Sequence, residues 1–521
     1  MPSPQLFVNG DQYQITPMGN VVKKDDEQEK IPEIQISDLD NIKRSRDFKN
    51  LRALLGKSFI RHKDKHIDFF WPDQLLGKIM TKERVIEELQ SMKRGRYSDI
   101  FAERTIDEYA DLLTPSRALR AKQMKPKQYF KIFVILLRCQ RKGDIIHFID
   151  AGTCDADLPL TSKEIDGKTR LMRGSHRLES AVNFRKCKWR SVEIEAFCST
   201  QWKVLVPSLR PPFNPLDKSE HVLFDSRAIL PFTKEDISKQ GEGGYGSVSC
   251  MQIHPSCHEF HHLPQVKVCK GLFAVKTMIH NEHENFLKEQ KMSKLFGGNH
   301  KHIITLLMSY EHEKRHFLLY PWADGDLIWF WKTHSAPYNS TTNYMSQTDI
   351  KWVSEQIVGL VSGLDAIHNP KNLSPEEQKR WGRHGDLKAD NILVFHASQL
   401  SDSVLVINDL GLTAIHGIKS RSNVPHENVP LCPNYRPPEC DQEGGKISRS
   451  FDIWTLGCLL LDMACWTLGG FAMVERFNKD REEVVYLGNR ENIFFDVKKT
   501  VGGKSVILIK ETVAKVIHTL P

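Results

Sequence analysis

The sequence predicts an α+β chain: a mostly α-helical N-terminal region, then a β-rich lobe, then a helical lobe. Three observations carry this prediction. Helical patterning runs from about residue 32 to 205. The stretch VPSLRPPFNPLDKSE (206–220) then places four prolines in fifteen residues, which reads as a linker. Beyond it the pattern turns to strand-like segments and then to helices. We therefore divide the chain into a flexible leader (1–31), a helical N-terminal region (32–205), a Pro-rich linker (206–225) and a C-terminal domain (226–521).

The elements follow in order. The leader is polar and ends in the charge-rich KKDDEQEK, a composition that orders poorly. TKERVIEELQSM predicts a helix with Thr81 as N-cap and Val85, Ile86, Leu89 and Met92 on its apolar face. QYFKIFVILLRC (128–139) predicts a buried helix and SHRLESAVNFRKC (175–187) another. Ile453–Val474 is an apolar run of 22 residues whose only charge is Asp462, long enough to span a bilayer. A mid-span carboxylate is costly in lipid, and a helix apolar all round also suits the centre of a large domain. We expect the second.

Composition narrows the function classes. Apolar residues make up 40% and charged residues 26%, ordinary for a globular chain. A formal charge of +8 over 521 residues implies no nucleic-acid partner by itself. The 11 cysteines include no Cys-x-x-Cys pair, and the opening MPSPQLFVNGDQYQ is polar. Free thiols inside the cell, cytoplasmic or nuclear, are the expectation, with no signal peptide or transmembrane helix.

The chemistry-bearing motifs begin after the linker. Gly241, Gly243, Gly246 and Val248 fit G-x-G-x-x-G-x-V, and the following SVSCMQI reads as a strand. That favours a hairpin whose backbone N–H groups cover phosphates over a dinucleotide-binding turn, which needs a helix there. Phe273-Ala274-Val275-Lys276 presents one lysine from an apolar strand. The helical ENFLKEQKMSKLF supplies Glu289 as its carboxylate partner, with Glu284 as a substitute. HFLLYPWADGDL reads as a strand leading into a connector, with Asp326 placed for a ribose hydroxyl. GRHGDLKADNILVF gathers His384, Asp386, Lys388, Asp390 and Asn391 ahead of an apolar strand. Asp409 ends the next apolar strand and precedes Gly411, a pattern that suits a magnesium ligand. Tyr435-Arg-Pro-Pro-Glu439 and Asp452-Ile-Trp-Thr-Leu-Gly457 close the series.

In this order the motifs resemble the signature set of the eukaryotic protein kinases, more narrowly fungal kinase-like proteins with a helical N-terminal region. The resemblance covers about residues 235 to 521. It implies a bilobal protein-kinase-like fold and an ATP- and Mg2+-dependent protein serine/threonine kinase. Asp386 would orient the substrate hydroxyl, and Lys388 would neutralise the transferring phosphoryl group and favour Ser/Thr substrates. Asn391 and Asp409 would hold magnesium, and Lys276 and Glu289 would form the ion pair of the active state. Val248 and Ala274 would pack above adenine and Leu393 below it, with Leu319 at the back of the pocket. Asp452 would brace the catalytic loop.

Several positions depart from the family pattern. Gly385 stands where most of these kinases carry arginine, so control is expected from elsewhere, including the N-terminal region and a protein partner for it. Cys432 replaces a usual threonine, and Ser293 occupies a normally apolar position. Glu439 lacks a recognisable arginine partner before the chain reaches Pro521, which predicts a truncated, marginally stable lower lobe with a buried, unpaired carboxylate. A pseudokinase scaffold, or a regulatory interaction protein, is the alternative reading. His254, Cys257, His258, His261, His262 and Cys269 fit no tight zinc spacing, so a polar hairpin tip is expected there.

Overall fold

The computed structural model describes residues 5–8, 11–15, 21–23, 50–94, 104–115, 127–174, 180–182, 189–211, 221–243, 246–278, 283–298, 300–339, 341, 344–370, 381–416, 424–425, 434–442, 446–484, 490–499 and 505–519. The expected α+β architecture is present. Among these residues the upper lobe is built on a six-stranded sheet. Its order is Phe232–Gly243, Gly246–Ile253, Leu272–Met278, Arg315–Pro321, Met308–His312 and Val222–Leu223. All neighbours are antiparallel except the short edge strand Val222–Leu223, which runs parallel to Tyr310–Glu311. The lower lobe is organised around the helices Gln347–His368 and Ser450–Asp480.

The N-terminal region does not stand apart. Its central helix Phe130–Arg138 buries every residue from Ile132 to Leu137. One continuous apolar core joins Leu55, Trp71, Phe133 and Phe197 to Ile229, Phe232, Met251, Phe273, Val275 and Leu319 of the sheet. Polar contacts pin the seam: Lys63 pairs with Glu235 at 2.7 Å, and the Lys63 N–H donates to the Phe232 carbonyl at 2.9 Å. Burial of this size dominates folding energy at about 25 cal/mol per Å² of apolar surface.

The helix expected from TKERVIEELQSM spans Lys82–Lys93, with Val85, Leu89 and Met92 buried. Three other expectations are corrected. Within the leader, Gln5–Val8, Asp11–Ile15 and Val21–Lys23 form an antiparallel meander. In the segment expected to be a helix at 175–187, Ser180–Ala181 is a strand paired with Met172–Arg173; residues 175–179 and 183–187 lie outside the described residues.

The third correction concerns the histidine- and cysteine-rich insertion. It is a docking seam, not a polar tip. Cys257 and Phe260 are fully buried in the shared core, and His258 is buried beside them. Leu209, from the Pro-rich linker, donates its N–H to the Cys257 carbonyl and accepts from the Glu259 N–H, both at 2.8 Å.

The apolar run lies in the core of the lower lobe. Its helix packs Leu459, Met463 and Trp466 against Phe330, Trp352 and Leu364. Gly470 breaks it with φ +70°, so the 31 residues form two helical segments. Asp462 is not left alone: Tyr435 Oη donates to its carboxylate and Arg481 Nη2 stands 3.7 Å away. The Arg481 guanidinium is sandwiched at 3.8 and 3.9 Å between the rings of Phe477 and Phe494. Residues 490–519 add a hairpin, Phe495–Lys499 with Ser505–Ile509, and the helix Glu511–Thr519; Phe494, Phe495 and Val513 are buried. Glu439 is only partly buried and accepts from Ser450 Oγ at 3.3 Å, so the expected unpaired buried carboxylate is absent.

Candidate active site

Strand periodicity decides which residues reach the cleft between the lobes. Val248 pairs with Lys276, Lys276 with Leu318 and Ala274 with Tyr320, so these side chains share one face of the sheet. Leu319 lies between Leu318 and Tyr320 and points the opposite way. It is fully buried against the N-terminal region. The sequence expectation for Leu319 is therefore corrected: Tyr320, one residue on, stands at the back of the cleft. A period of two moves a side chain to the other face for a one-residue slip. Leu393 joins Ala274 and Tyr320 in the same small apolar cluster from the lower lobe. Ala274, Tyr320 and Leu393 thus meet across the cleft from the two lobes.

The glycine-rich hairpin is formed as the sequence implies. Gly241 pairs with Val248, and Gly243 with Gly246 closes the ladder; residues 244–245 lie outside the described residues. Gly246 is required by a close approach, because a Cβ there would lie 2.3 Å from the Thr277 carbonyl oxygen.

Lys276 Nζ donates to both carboxylate oxygens of Glu289, at 2.7 and 2.8 Å. Glu289 is buried in the helix His283–Phe296, whereas Glu284 is exposed. Burial raises the Glu289 carboxyl above the ordinary range, and Lys276 opposes that shift. Tyr320 Oη and Ser293 Oγ meet at 3.0 Å behind this pair. Ser293 is thus a satisfied polar residue where an apolar one is usual.

The lower lobe supplies the other side of the cleft. Asp386 is buried to 9% exposure and Lys388 Nζ lies 2.9 Å from its Oδ2. Asn391 Nδ2 donates to the Asp386 carboxylate and carbonyl, both at 2.8 Å. The loop that carries them is fixed by Asp452, fully buried at the start of the apolar helix. Asp452 accepts from the backbone N–H of His384 at 2.7 Å and of Gly385 at 2.8 Å, with His368 Nε2 at 2.8 Å. Gly385 has φ +87°, a backbone state that glycine adopts freely. Asp409 has φ +59°, and its Oδ1 accepts from the Gly411 N–H at 3.2 Å. A Cβ on Gly411 would lie 3.1 Å from Asp409 Oδ1 and 3.5 Å from Glu289 Oε2, so the Asp409 strand end adjoins the ion pair.

Asp326 caps the helix Leu327–Thr333, its Oδ1 accepting from the Trp329 N–H at 2.7 Å. Cys432 lies outside the described residues. Sequence reasoning missed Tyr320, His368 and the His384 side chain, whose Nε2 lies 2.9 Å from the Asn408 carbonyl. His368 carries no local signal, being brought to Asp452 across 84 residues.

A two-lobed cleft with a lysine–glutamate pair above and an aspartate–lysine–asparagine loop below defines a phosphoryl-transfer type of site. Residues 235–496, half of the chain, match the Protein kinase domain model. The chain belongs to the protein kinase family. It is similar to Serine/threonine-protein kinase 16 of Homo sapiens, 26% identical over 239 residues, covering 44% of this chain and 68% of that protein. Cyclin-dependent kinase 14 of Xenopus laevis is 24% identical over 263 residues, 50% of this chain and 51% of that protein. Serine/threonine-protein kinase SSN3 of Yarrowia lipolytica is 26% identical over 147 residues, 28% of this chain and 31% of that protein. The chain thus spans about half or less of the last two.

Proposed function

We propose that this chain transfers the γ-phosphoryl group of ATP to serine or threonine hydroxyls of a protein substrate. The observation that carries this reading is the closed Lys276–Glu289 pair beside Asp409, above the Asp386–Lys388–Asn391 loop. Little covalent chemistry is required of the protein, so positioning and electrostatics do the catalysis.

Val248, Ala274, Tyr320 and Leu393 give an apolar slot for the base. Lys276, held by Glu289, presents its ammonium to the phosphates. The Asp386 carboxylate, oriented by Asn391, accepts the hydrogen bond of the incoming hydroxyl and takes its proton as the new P–O bond forms and the bond to ADP breaks. Lys388 offsets the charge on the transferring group. The donor set at the strand end suits a hard dication, since Asp409 and Asn391 both offer oxygen ligands. Magnesium, when bound, neutralises phosphate charge there.

The test is transfer of label from γ-labelled ATP with magnesium, comparing the wild-type chain with Asp386→Asn at equal folded concentration. Incorporation that falls about 100-fold or more in the variant supports the reading. A folded wild-type chain that binds nucleotide without transferring label overturns it and leaves the scaffold reading.

A further inference from the structure

The zinc-like residues of the sequence do not assemble where their spacing is densest. Among the described residues, the only group of three or more histidine, cysteine or acidic side chains with converging donor atoms is His221, Glu311 and His316. Their donors all lie within 4.8 Å of one another, and all three residues are half-buried.

The sheet explains the convergence. Glu311 and His316 are direct cross-strand partners, so their side chains leave the same face. His221 immediately precedes the edge strand Val222–Leu223, which runs parallel to Tyr310–Glu311. The edge strand therefore delivers His221 onto that pair. Opposite stands the helix that carries Glu289. His283, Phe286 and Gln290, one face of it at spacings of three and four, meet the cluster. His283 Nδ1 lies 3.1 Å from His316 Nε2, and the Phe286 ring stacks on His316 at 4.6 Å.

Hydrogen bonds leave the right lone pairs. His221 Nδ1 lies 3.3 Å from Ser309 Oγ, which accepts from Gln290 Nε2 at 2.6 Å. Gln290 Nε2 also stands 3.4 Å from Nδ1; an Nδ1–H tautomer of His221 can donate to Ser309 and leaves Nε2, which is buried without a hydrogen-bond partner, with its lone pair. His316 can give its Nε2–H to His283, which leaves a lone pair on Nδ1, 3.9 Å from Glu311 Oε2, for a cation held between the two. Ligand imidazoles held this way through the far nitrogen are the usual arrangement at metal sites.

We propose that His221, Glu311 and His316 bind a zinc ion, with water in the fourth position. Two imidazoles and one carboxylate are a known zinc donor set, and the imidazoles disfavour magnesium and calcium. A tetrahedral ion with ligands at about 2.0–2.2 Å spaces them about 3.3–3.6 Å apart, so closure asks for side-chain movement of about an ångström. Bound zinc fastens the end of the Pro-rich linker to the sheet edge. Through His283 and Gln290 it also buttresses the helix that carries Glu289.

The experiment uses the full chain, stripped with chelator and dialysed against zinc chloride, with bound metal measured by atomic emission. One equivalent is expected, and the thermal midpoint should rise on binding. His221→Asn with His316→Asn should abolish that equivalent. Glu311→Gln alone should weaken binding about tenfold or more, and decides the matter if the double variant does not fold. His258→Asn with His261→Asn, in the docking seam, should keep the full equivalent. Stripped wild type that takes up no zinc overturns the site. So does a folded double or Glu311→Gln variant that binds like wild type, or uptake lost only in the docking-seam variant. None of these readouts depends on phosphoryl transfer.

Discussion

Ser293 Oγ and Tyr320 Oη share a hydrogen bond of 3.0 Å directly behind the Lys276–Glu289 pair. Both residues are buried, Ser293 to 1% exposure. The unusual polar residue on the helix is thus matched by a polar residue on the strand, and the two form one unit. Burial and the adjacent Glu289 carboxylate push the Tyr320 phenol well above its ordinary value, so it stays protonated and able to donate.

Ser293→Ala should therefore destabilise the chain by about 0.5–1.5 kcal/mol, the cost of one lost hydrogen bond, since the Tyr320 hydroxyl keeps the Glu289 carboxylate as a partner. Tyr320→Phe alone should cost a similar amount. The double variant should cost less than the sum of the two, because neither leaves an unmatched partner. Urea unfolding of the four proteins measures the coupling, and strict additivity would contradict a shared bond.

Lys276→Met should abolish phosphoryl transfer and also destabilise the upper lobe. It leaves Glu289 as a buried carboxylate without its cation, a change worth about 3–5 kcal/mol. Adding Glu289→Gln should recover most of that stability and none of the activity. Recovery of transfer in the double variant would remove Lys276 from its assigned role.

Asp462 gives the lower lobe a pH dependence with a definite sign. Burial pushes its carboxyl up to about 6, against the pull of Arg481 and the Tyr435 hydroxyl. A raised native value means the native state holds its proton more tightly than the unfolded chain. Stability from this group is full below about pH 4 and is lost as pH rises through about 6, by about 3 kcal/mol in total. Urea midpoints at pH 4.5 and 6.5 test this. Asp462→Asn should flatten the difference; an unchanged slope would refute the assignment.

Gly246→Ala should disturb the glycine-rich hairpin, since the new Cβ meets the backbone carbonyl of Thr277 at 2.3 Å and backbone has no rotamer to yield. A cost of about 1–3 kcal/mol is expected, with a raised KM for ATP. Steady-state kinetics at several ATP concentrations would show it, and an unaltered KM would mean the hairpin absorbs the methyl group.

A chain beginning at residue 226 should be poorly soluble. Removing the preceding residues uncovers Ile229, Phe232, Met251, Phe260 and Phe273, which share one core with the helices. The intact protein should show no separate calorimetric transition for the N-terminal region. A soluble, cooperatively folding fragment would show that the shared core is dispensable.

Legibility varied with how local each signal is. Lys276, Asp386, Lys388, Asn391 and Asp409 stand in short motifs whose order along the chain already implied one site, and the fold brings them to one cleft. Leu319 was misplaced for Tyr320 because a motif locates a strand but not which of two alternating faces a residue takes. The cluster of His254, Cys257 and His258 pointed to solvent because polarity was read without its packing partner. Leu209 and the N-terminal core that bury it lie far away in sequence.

By itself, the sequence determined the α+β lobes, the helical region before them and the motif residues that meet in the cleft. Those depend on periodicity and on spacings of a few residues. Only the tertiary structure decided that the N-terminal region and the sheet share one core, and that Asp462 is answered by Tyr435 and Arg481. It also decided that His221 arrives beside Glu311 and His316. These contacts join groups 19 (Asp462 and Arg481), 95 (His221 and His316) and 172 (Lys63 and Glu235) residues apart. Chain closure over such lengths is set by burial of whole faces, which no local pattern records.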